Sequence, residues 1–491
     1  MTALDPFGLP VQIGLVQLRT PGLSGTADIH DTGSPGMRAA EQSTPALDAA
    51  LANASVESQM TIEIQGAAEV EAPPAVTRST TFGEPAIELT VPDAGKEWGQ
   101  FVLHQDEAGV LTWNFPVDEE NRQDVTRGAA TRRYVIRRAV PPAETQPGTR
   151  GLLGAIGKKL LKVLAYRLLD PIAGAIGPHF IGQFEAKKWP YGVRTFTPAN
   201  FNQPPAPANA LSAADWTRLQ LGRSLLMIHG TNSRTDYAFG ALDVATVQTL
   251  SDAYVGRVWA FDHFTLSEDP IENVRKLIAF IPEGATLDVD IICHSRGGLV
   301  ARQLAEVAAQ TPMGSRRLTV RRIVFVAVPN AGTVLADMKH MSDFIDSYTN
   351  ILNFLPDNGV TETFEGLITI AKMCAVGTVK GLDGLQSMNP EGPYLHALNT
   401  SATDGKRYFA LASNYEPAVP GWKAWAASRL MHRVFDAAND LVVPTDGVFA
   451  TNGAGLFPIS DPLVFSPADG VCHTQFFCRA EVRARLVQWL V

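Results

Sequence analysis

The chain has 491 residues, 45% of them hydrophobic, which is more apolar material than one core usually holds and predicts at least two globular domains. A net charge of -9 without long runs of either sign offers no cationic face to a phosphate backbone and argues against nucleic acid as a partner. Cys293, Cys374, Cys472 and Cys478 have neither CxxC spacing nor the density of a disulfide scaffold, so a reducing compartment is expected.

Met1–Leu18 has no basic residue ahead of a weak apolar stretch broken by Pro10 and Gln12, unlike a secretory signal. No run of about 18 apolar residues occurs anywhere, and a cytoplasmic protein is expected, with signal-independent export left open. Residues 1–57, rich in Gly, Ser, Thr, Ala and Pro beyond position 20, read as an irregular arm. From 58–142 short alternating runs follow, Ile62-Glu63-Ile64, Ala86–Val91, Phe101–Leu103 and Val110–Phe115, with Gln105–Gly109 as a hairpin loop. They predict a small antiparallel β-domain.

Residues 143–215 read as a helical connector. Within Leu152–Leu169, Leu153, Ile156, Leu160, Val163, Leu164 and Leu168 recur at helical spacing beside Lys158, Lys159, Lys162 and Arg167, predicting an amphipathic cationic helix. Peripheral contact with a membrane surface is one reading. A helix packed between domains with its lysines in water is the blander one, and the sequence favours it.

Residues 216–491 carry the chemistry. Ser224–Ile228 reads as a buried strand ending in the turn His229-Gly230-Thr231, Arg257–Phe261 as another strand, and Asn273–Ile281 as a helix. This alternation predicts an α/β domain with a mostly parallel sheet and helices on both faces, with chemistry at the carboxyl ends of the strands. The apolar strand Leu287–Cys293 leads into His294-Ser295-Arg296-Gly297-Gly298 and the helical stretch Leu299–Ala309. That is the spacing of a nucleophile elbow, in which a serine sits on a strained strand-to-helix turn between small neighbours. Cys293 stands where glycine is commonest, making the motif C-x-S-x-G. The backbone N–H groups of Thr231 and Arg296 are placed to form an oxyanion hole.

These residues resemble the lipase and esterase branch of the α/β-hydrolase superfamily, particularly bacterial lipases and deacylases similar to the GPI-inositol deacylase. Leu226–Thr231 looks like the oxyanion strand, Cys293–Arg302 like the elbow and its helix, and Ile323–Thr333 like the next strand and its Pro-x-x-Gly-Thr turn. The likeness spans about residues 222–491. In that superfamily the base lies on a loop after the last strand, which points to His473 in Val471–Phe477, ahead of a final helix Ala480–Leu490. His432 is a rival in the wrong chain order. Asn439–Pro444 resembles the turn that carries the acid, pointing to Asp440, with Asp436 and Asp446 as competitors. The resemblance thus implies Ser295 as nucleophile, His473 as base and Asp440 as the orienting acid of an esterase or lipase, extending to phospholipases.

Residues of about 334–399 interrupt two expected strands with apolar helical stretches near Phe344–Leu355 and Phe364–Val379. Such an insertion in this superfamily usually forms a cap over the site, and an apolar cap suggests a lipid ester rather than a small polar one; helices that only complete the core are the alternative. No HExxH, Cys-His cluster or GxGxxG is present, so neither a metal nor a cofactor is expected. A thioesterase, amidase or acyltransferase would use the same three residues, and a thiol enzyme based on Cys293 is a weaker variant. From a different class, the chain could be a silent hydrolase-like binding module, against which the intact Ser, Asp and His in correct order argue.

Overall fold

The computed structural model describes residues 1–31, 45–70, 86–106, 109–117, 130–137, 157–168, 176–307, 312–354, 360–377, 381–400, 405–416, 438–450, 457–459 and 461–491. They fall into two units, the first from Met1–Ile176 and Ile345–Thr378, the second from Gly177–Phe344, Val379–Pro417 and Arg433–Val491.

The first unit is built from antiparallel strands. A six-stranded sheet runs in the order Thr2–Ala3, Leu23–Asp31, Val56–Glu69, Gly157–Arg167, Trp98–Gln105, Leu111–Asn114. A four-stranded sheet runs Val11–Ile13, Val16–Arg19, Ala86–Pro92, Thr131–Arg137. Ile62, Ile64, Val102, Leu161 and Val163 of the larger sheet share one core with Leu18, Ile87, Leu89 and Ile136 of the smaller. Helices Pro45–Asn53 and Val360–Ala375 are joined by Asn53 Nδ2 donating to Glu365 Oε1 at 2.8 Å, and Tyr166 O–H reaches the Lys372 carbonyl at 2.5 Å.

The outer strand Leu111–Asn114 would present an open row of backbone groups, the usual invitation to aggregation. Helix Met341–Phe354 closes it with side chains. Asn350 accepts from Leu111 N–H at 2.9 Å and returns a bond to the Leu111 carbonyl at 2.7 Å, while Asp346 accepts from Trp113 N–H at 2.7 Å. The Asn350 amide thus reproduces the paired bonds of a neighbouring strand.

Three expectations change here. Residues 1–31 supply four strands where an irregular arm was expected. Residues 157–167 form a central strand, not the predicted cationic helix 152–169, so the membrane contact proposed for such a helix loses its basis. The reason is burial on both faces: Leu160, Leu161, Val163, Leu164 and Ala165 are all buried, and even Lys159 and Lys162 are largely covered. Such a strand has no two-residue alternation and imitates a helix in one dimension. Lastly, residues 345–378 of the expected cap belong to the first unit, leaving only the flanking parts of 334–399 in the second. Among the described residues, no helix is long and apolar enough to cross a membrane.

The second unit is a seven-stranded sheet whose strands we label β1 (Gly192–Thr195), β2 (Ser224–Ile228), β3 (Val258–Asp262), β4 (Thr286–His294), β5 (Arg317–Val326), β6 (Arg407–Ser413) and β7 (Leu463–Phe465). The order is β1-β3-β2-β4-β5-β6-β7. Only the edge strand β1 is antiparallel to its neighbour. Leu225, Met227, Ala260, Ile292, Val324 and Leu411 pack in one core with Val247 and Leu250 of helix Val244–Ala253 and Leu486 of helix Ala480–Leu490. From the opposite face Leu226, Ile228, Trp259 and Ile291 are fully buried as well, which explains why these strands read as unbroken apolar runs. The chain order reverses direction at β2 and β4, so the loops leaving their carboxyl ends open a crevice there.

Candidate active site

β2 and β4 are adjacent parallel strands in register, with Ile228 opposite Cys293, so the turns that follow them meet at one rim of the sheet. After β4 the chain reverses through Ser295, whose φ of 53° is a strained conformation for a residue with a side chain, and enters helix Gly297–Glu306. Only small neighbours permit this. A Cβ on Gly297 would come within 2.3 Å of the His229 carbonyl oxygen and 2.6 Å of that of Ile228. One on Gly230 would meet the Ser295 Cβ at 2.6 Å. Gly230-Thr231 therefore lies directly against Ser295.

Ser295 Oγ is 2.9 Å from His473 Nε2, and His473 Nδ1 is 2.8 Å from Asp440 Oδ2. All three side chains are buried. Asp440 is fixed by its own turn, where Oδ1 accepts the N–H groups of Val442 at 3.0 Å and Val443 at 2.8 Å. That turn is tied to the end of β6 by Thr445 O–H donating to the Ser413 carbonyl at 2.6 Å. His473 N–H donates to the Asp440 carbonyl at 3.1 Å, which locks base loop to acid turn. The three residues singled out by sequence, 178 and 33 positions apart, are thus brought together. Of the competitors, Asp446 is exposed, while Asp436 and His432 lie outside the described residues.

Several supporting contacts escape sequence reasoning. His294 donates from Nε2 to the His473 carbonyl at 3.0 Å, so the elbow holds the base loop directly. Burial, reinforced by the neighbouring His473, pushes the His294 pKa down to about 3, so it serves as a neutral donor. His229 accepts the His263 N–H at Nε2, 3.1 Å away, which puts its proton on Nδ1 and onto the Gly230 carbonyl at 3.0 Å. Burial lowers the pKa of both His229 and His263. Cys293 points away from the rim: its Sγ donates to the Val324 carbonyl at 3.3 Å, and burial raises its pKa well above that of a free thiol. A thiolate at this position is disfavoured, which removes the thiol alternative.

The N–H groups of Thr231 and Arg296 have no acceptor elsewhere in the chain among the described residues. Two such donors flank Ser295, one from the turn it packs against and one from the residue that follows it. The arrangement can therefore move a proton from a hydroxyl to an imidazole and offer hydrogen bonds to an oxygen anion formed beside it. Among the described residues no group of His, Cys, Asp and Glu is placed to hold a metal ion.

The family described as a domain of unknown function (DUF7379) matches residues 188–491. No curated protein matches the chain. Among solved structures, similarity is found to the mature lipase of Bacillus licheniformis, with 14% identity over 61% of this chain and 97% of that one and a TM-score of 0.34. Lipase 1 from Pelosinus fermentans gives 14% identity over 55% and 98% with a TM-score of 0.34. The lipase of Staphylococcus hyicus gives 12% over 54% and 93% with a TM-score of 0.33.

Proposed function

The chain belongs to the family described as a domain of unknown function (DUF7379), and from its geometry at Ser295 we propose that it is a serine hydrolase of α/β-hydrolase type that cleaves carboxylic esters. The observation that carries this is the unbroken line of contacts from Ser295 Oγ through His473 to Asp440, at 2.9 and 2.8 Å. The strained elbow and the two free N–H groups beside it support the same reading, because each is costly or idle without a reacting group to serve.

Each residue then has one task. His473 Nε2 takes the Ser295 proton as Oγ adds to the ester carbonyl carbon. The oxygen of that carbonyl becomes an anion and is held by the N–H groups of Thr231 and Arg296. Asp440 keeps the other imidazole proton on Nδ1 and stabilises the imidazolium. That imidazolium gives its proton to the departing alkoxide as the C–O bond breaks, leaving an acyl group on Ser295. Water repeats the sequence, releasing the carboxylic acid and restoring the hydroxyl. No cofactor enters any step.

Labelling with a fluorophosphonate tests the assignment: the parent is expected to react and Ser295→Ala to be inert. Labelling that survives the substitution would remove the nucleophile. A series of p-nitrophenyl esters then addresses the acyl group, since a rate that falls steadily beyond acetate would count against a lipid ester.

A further inference from the structure

Glu185 has no role in the reaction as described, yet it is one of the most deeply enclosed charged groups in the second unit. It lies on helix Ile176–Lys188 and is wholly buried. Its carboxylate is saturated with donors from one short loop. Oε1 accepts the N–H groups of Thr265 at 2.5 Å and Leu266 at 2.8 Å, and Oε2 accepts Ser267 N–H at 2.9 Å and Ser267 O–H at 2.5 Å. Burial nevertheless leaves its pKa raised, with these hydrogen bonds opposing the shift. Enclosing a carboxylate is a costly way to fasten a short loop, so what the loop holds in turn matters.

That loop leaves the carboxyl end of β3 and touches Arg296, one of the two residues with a free N–H beside Ser295, and Asn232, the chain neighbour of the other. On one side Thr265 Oγ1 accepts the N–H of Asn232 at 3.0 Å. Asn232 follows Thr231 directly and has a φ of 53°, a conformation that needs such a tether to persist. On the other side the guanidinium of Arg296 donates to the Glu268 carbonyl through Nη2, and through Nε to the Gly384 carbonyl at 2.7 Å. Arg296 is itself wholly buried; burial lowers its pKa, and Glu185 is the foremost charge opposing that shift.

We propose that Glu185 is a positioning residue for the oxyanion hole, acting through loop 265–268, which holds Thr231 by way of Asn232 and holds Arg296 by its side chain. This rests on the serine hydrolase reading above. Glu185 itself touches neither substrate nor reacting atoms. It fixes three successive amides of a loop that spans the two donors, so that both N–H groups face one point. In the sequence Glu185 gives no sign of this, since a glutamate just ahead of Lys187 and Lys188 ordinarily reads as a surface charge.

The test compares an ester with its thiono counterpart, C=O against C=S at the attacked carbon, in the full chain. A hole with fixed donors favours oxygen over the larger, weaker acceptor sulfur, and donors that have drifted lose that preference. Glu185→Gln and Thr265→Val are expected to lower kcat for the oxygen ester about 10- to 100-fold with KM nearly unchanged, the scale of a misplacement of about 1 Å. The oxygen-to-sulfur ratio of kcat/KM should shrink at least several-fold in both, and Thr265→Ser, which keeps the accepting hydroxyl, should restore it. Thermal unfolding reports whether each variant folds, and Thr265→Val carries the test if Glu185→Gln does not. Folded variants that keep the parental ratio, or lose both substrates by one common factor, would overturn the proposal while leaving the hydrolase intact. A parent that neither hydrolyses the ester nor takes the fluorophosphonate would instead sink the hydrolase reading and this inference with it.

Discussion

Replacing Asp440 by asparagine alters the chemistry of one atom in the proposed relay and almost nothing around it. In the native side chain Oδ1 is occupied by the N–H groups of Val442 and Val443, at 3.0 and 2.8 Å, and Oδ2 faces His473 Nδ1 at 2.8 Å. Asparagine has a single acceptor oxygen and two amide protons. Leaving that oxygen on the two buried backbone donors turns the NH2 toward Nδ1, which must then accept. The imidazole proton is forced onto Nε2, where it faces Ser295 Oγ at 2.9 Å and cannot receive the serine proton. A wrong tautomer of this kind costs about 10⁴-fold in kcat, on the order of 5 kcal/mol of transition-state stabilisation. The fold loses one charged hydrogen bond, about 1.5–3 kcal/mol. Initial rates on p-nitrophenyl butyrate, read beside a thermal melt, separate the two effects. A folded Asp440→Asn enzyme that keeps more than about a tenth of the parental rate, against the far larger loss expected, would refute the tautomer argument and reduce Asp440 to a turn-former.

Gly297→Ala places a Cβ 2.3 Å from a backbone oxygen that cannot swing aside, so a loss of about 1–3 kcal/mol and of fluorophosphonate reactivity is expected; labelling at the parental rate would show that the elbow relaxes. His294→Ala removes the 3.0 Å bond to the His473 carbonyl and should lower kcat by about tenfold with KM little changed, Gln recovering part of it, as steady-state rates will show. Burial holds His104 and His294 down to about 3, and lowers His229 and His263 as well. The first two rings bind protons less readily folded than unfolded, so their share of stability is full above about pH 6.5 and is lost as the pH falls toward 3, with a slope of about 1.4 kcal/mol per pH unit for each. Urea unfolding at pH 7, 6 and 5 measures the slope, which His104→Gln should make shallower. In the first unit, Asp346→Ala strips the acceptor from the buried Trp113 N–H at 2.7 Å, and a loss of about 1–3 kcal/mol is expected by the same denaturation.

How far these features could be read in one dimension depends on whether their cause is local. Ser224–Ile228 and the run ahead of Ser295 are covered on both faces and bounded by glycine turns, so apolar continuity and the small residues at Gly230, Gly297 and Gly298 identify them. The Asp440 turn is legible only through the likeness of Asn439–Pro444 to a family turn, which left Asp436 and Asp446 as competitors; the bonds from its carboxylate to Val442 and Val443 are a finding of the structure. Residues 157–167 are also covered on both faces, but with lysines at intervals a helix would accept, and the same signal misleads. Contacts made only by tertiary packing leave no trace at all. His263 and Glu185 meet their partners, His229 and loop 265–267, across 34 and about 80 positions, and neither lies in a motif.

Backbone strain offers an independent way to locate the site, because it uses no motif. Among the described residues six other than glycine have positive φ: Ser55, Asn232, Val255, Ser295, Ala327 and Leu441. Two have an ordinary cause. Ser55 and Val255 lie two residues beyond helices Pro45–Asn53 and Val244–Ala253, and their N–H groups donate to Ala52 and Asp252 as in common left-handed helix ends. The other four terminate no helix. Asn232 follows the turn after β2, Ser295 follows β4 and Ala327 follows β5, while Leu441 directly follows Asp440. Each such residue costs about 1–3 kcal/mol unless its surroundings over-determine it. Sheet closure does not explain their position, since strand ends can be finished with glycine, as the chain does at Gly256 and Gly284. Four strained residues gathered where β2, β4, β5 and the acid turn converge mark that rim as the place where the fold gives up stability to hold geometry.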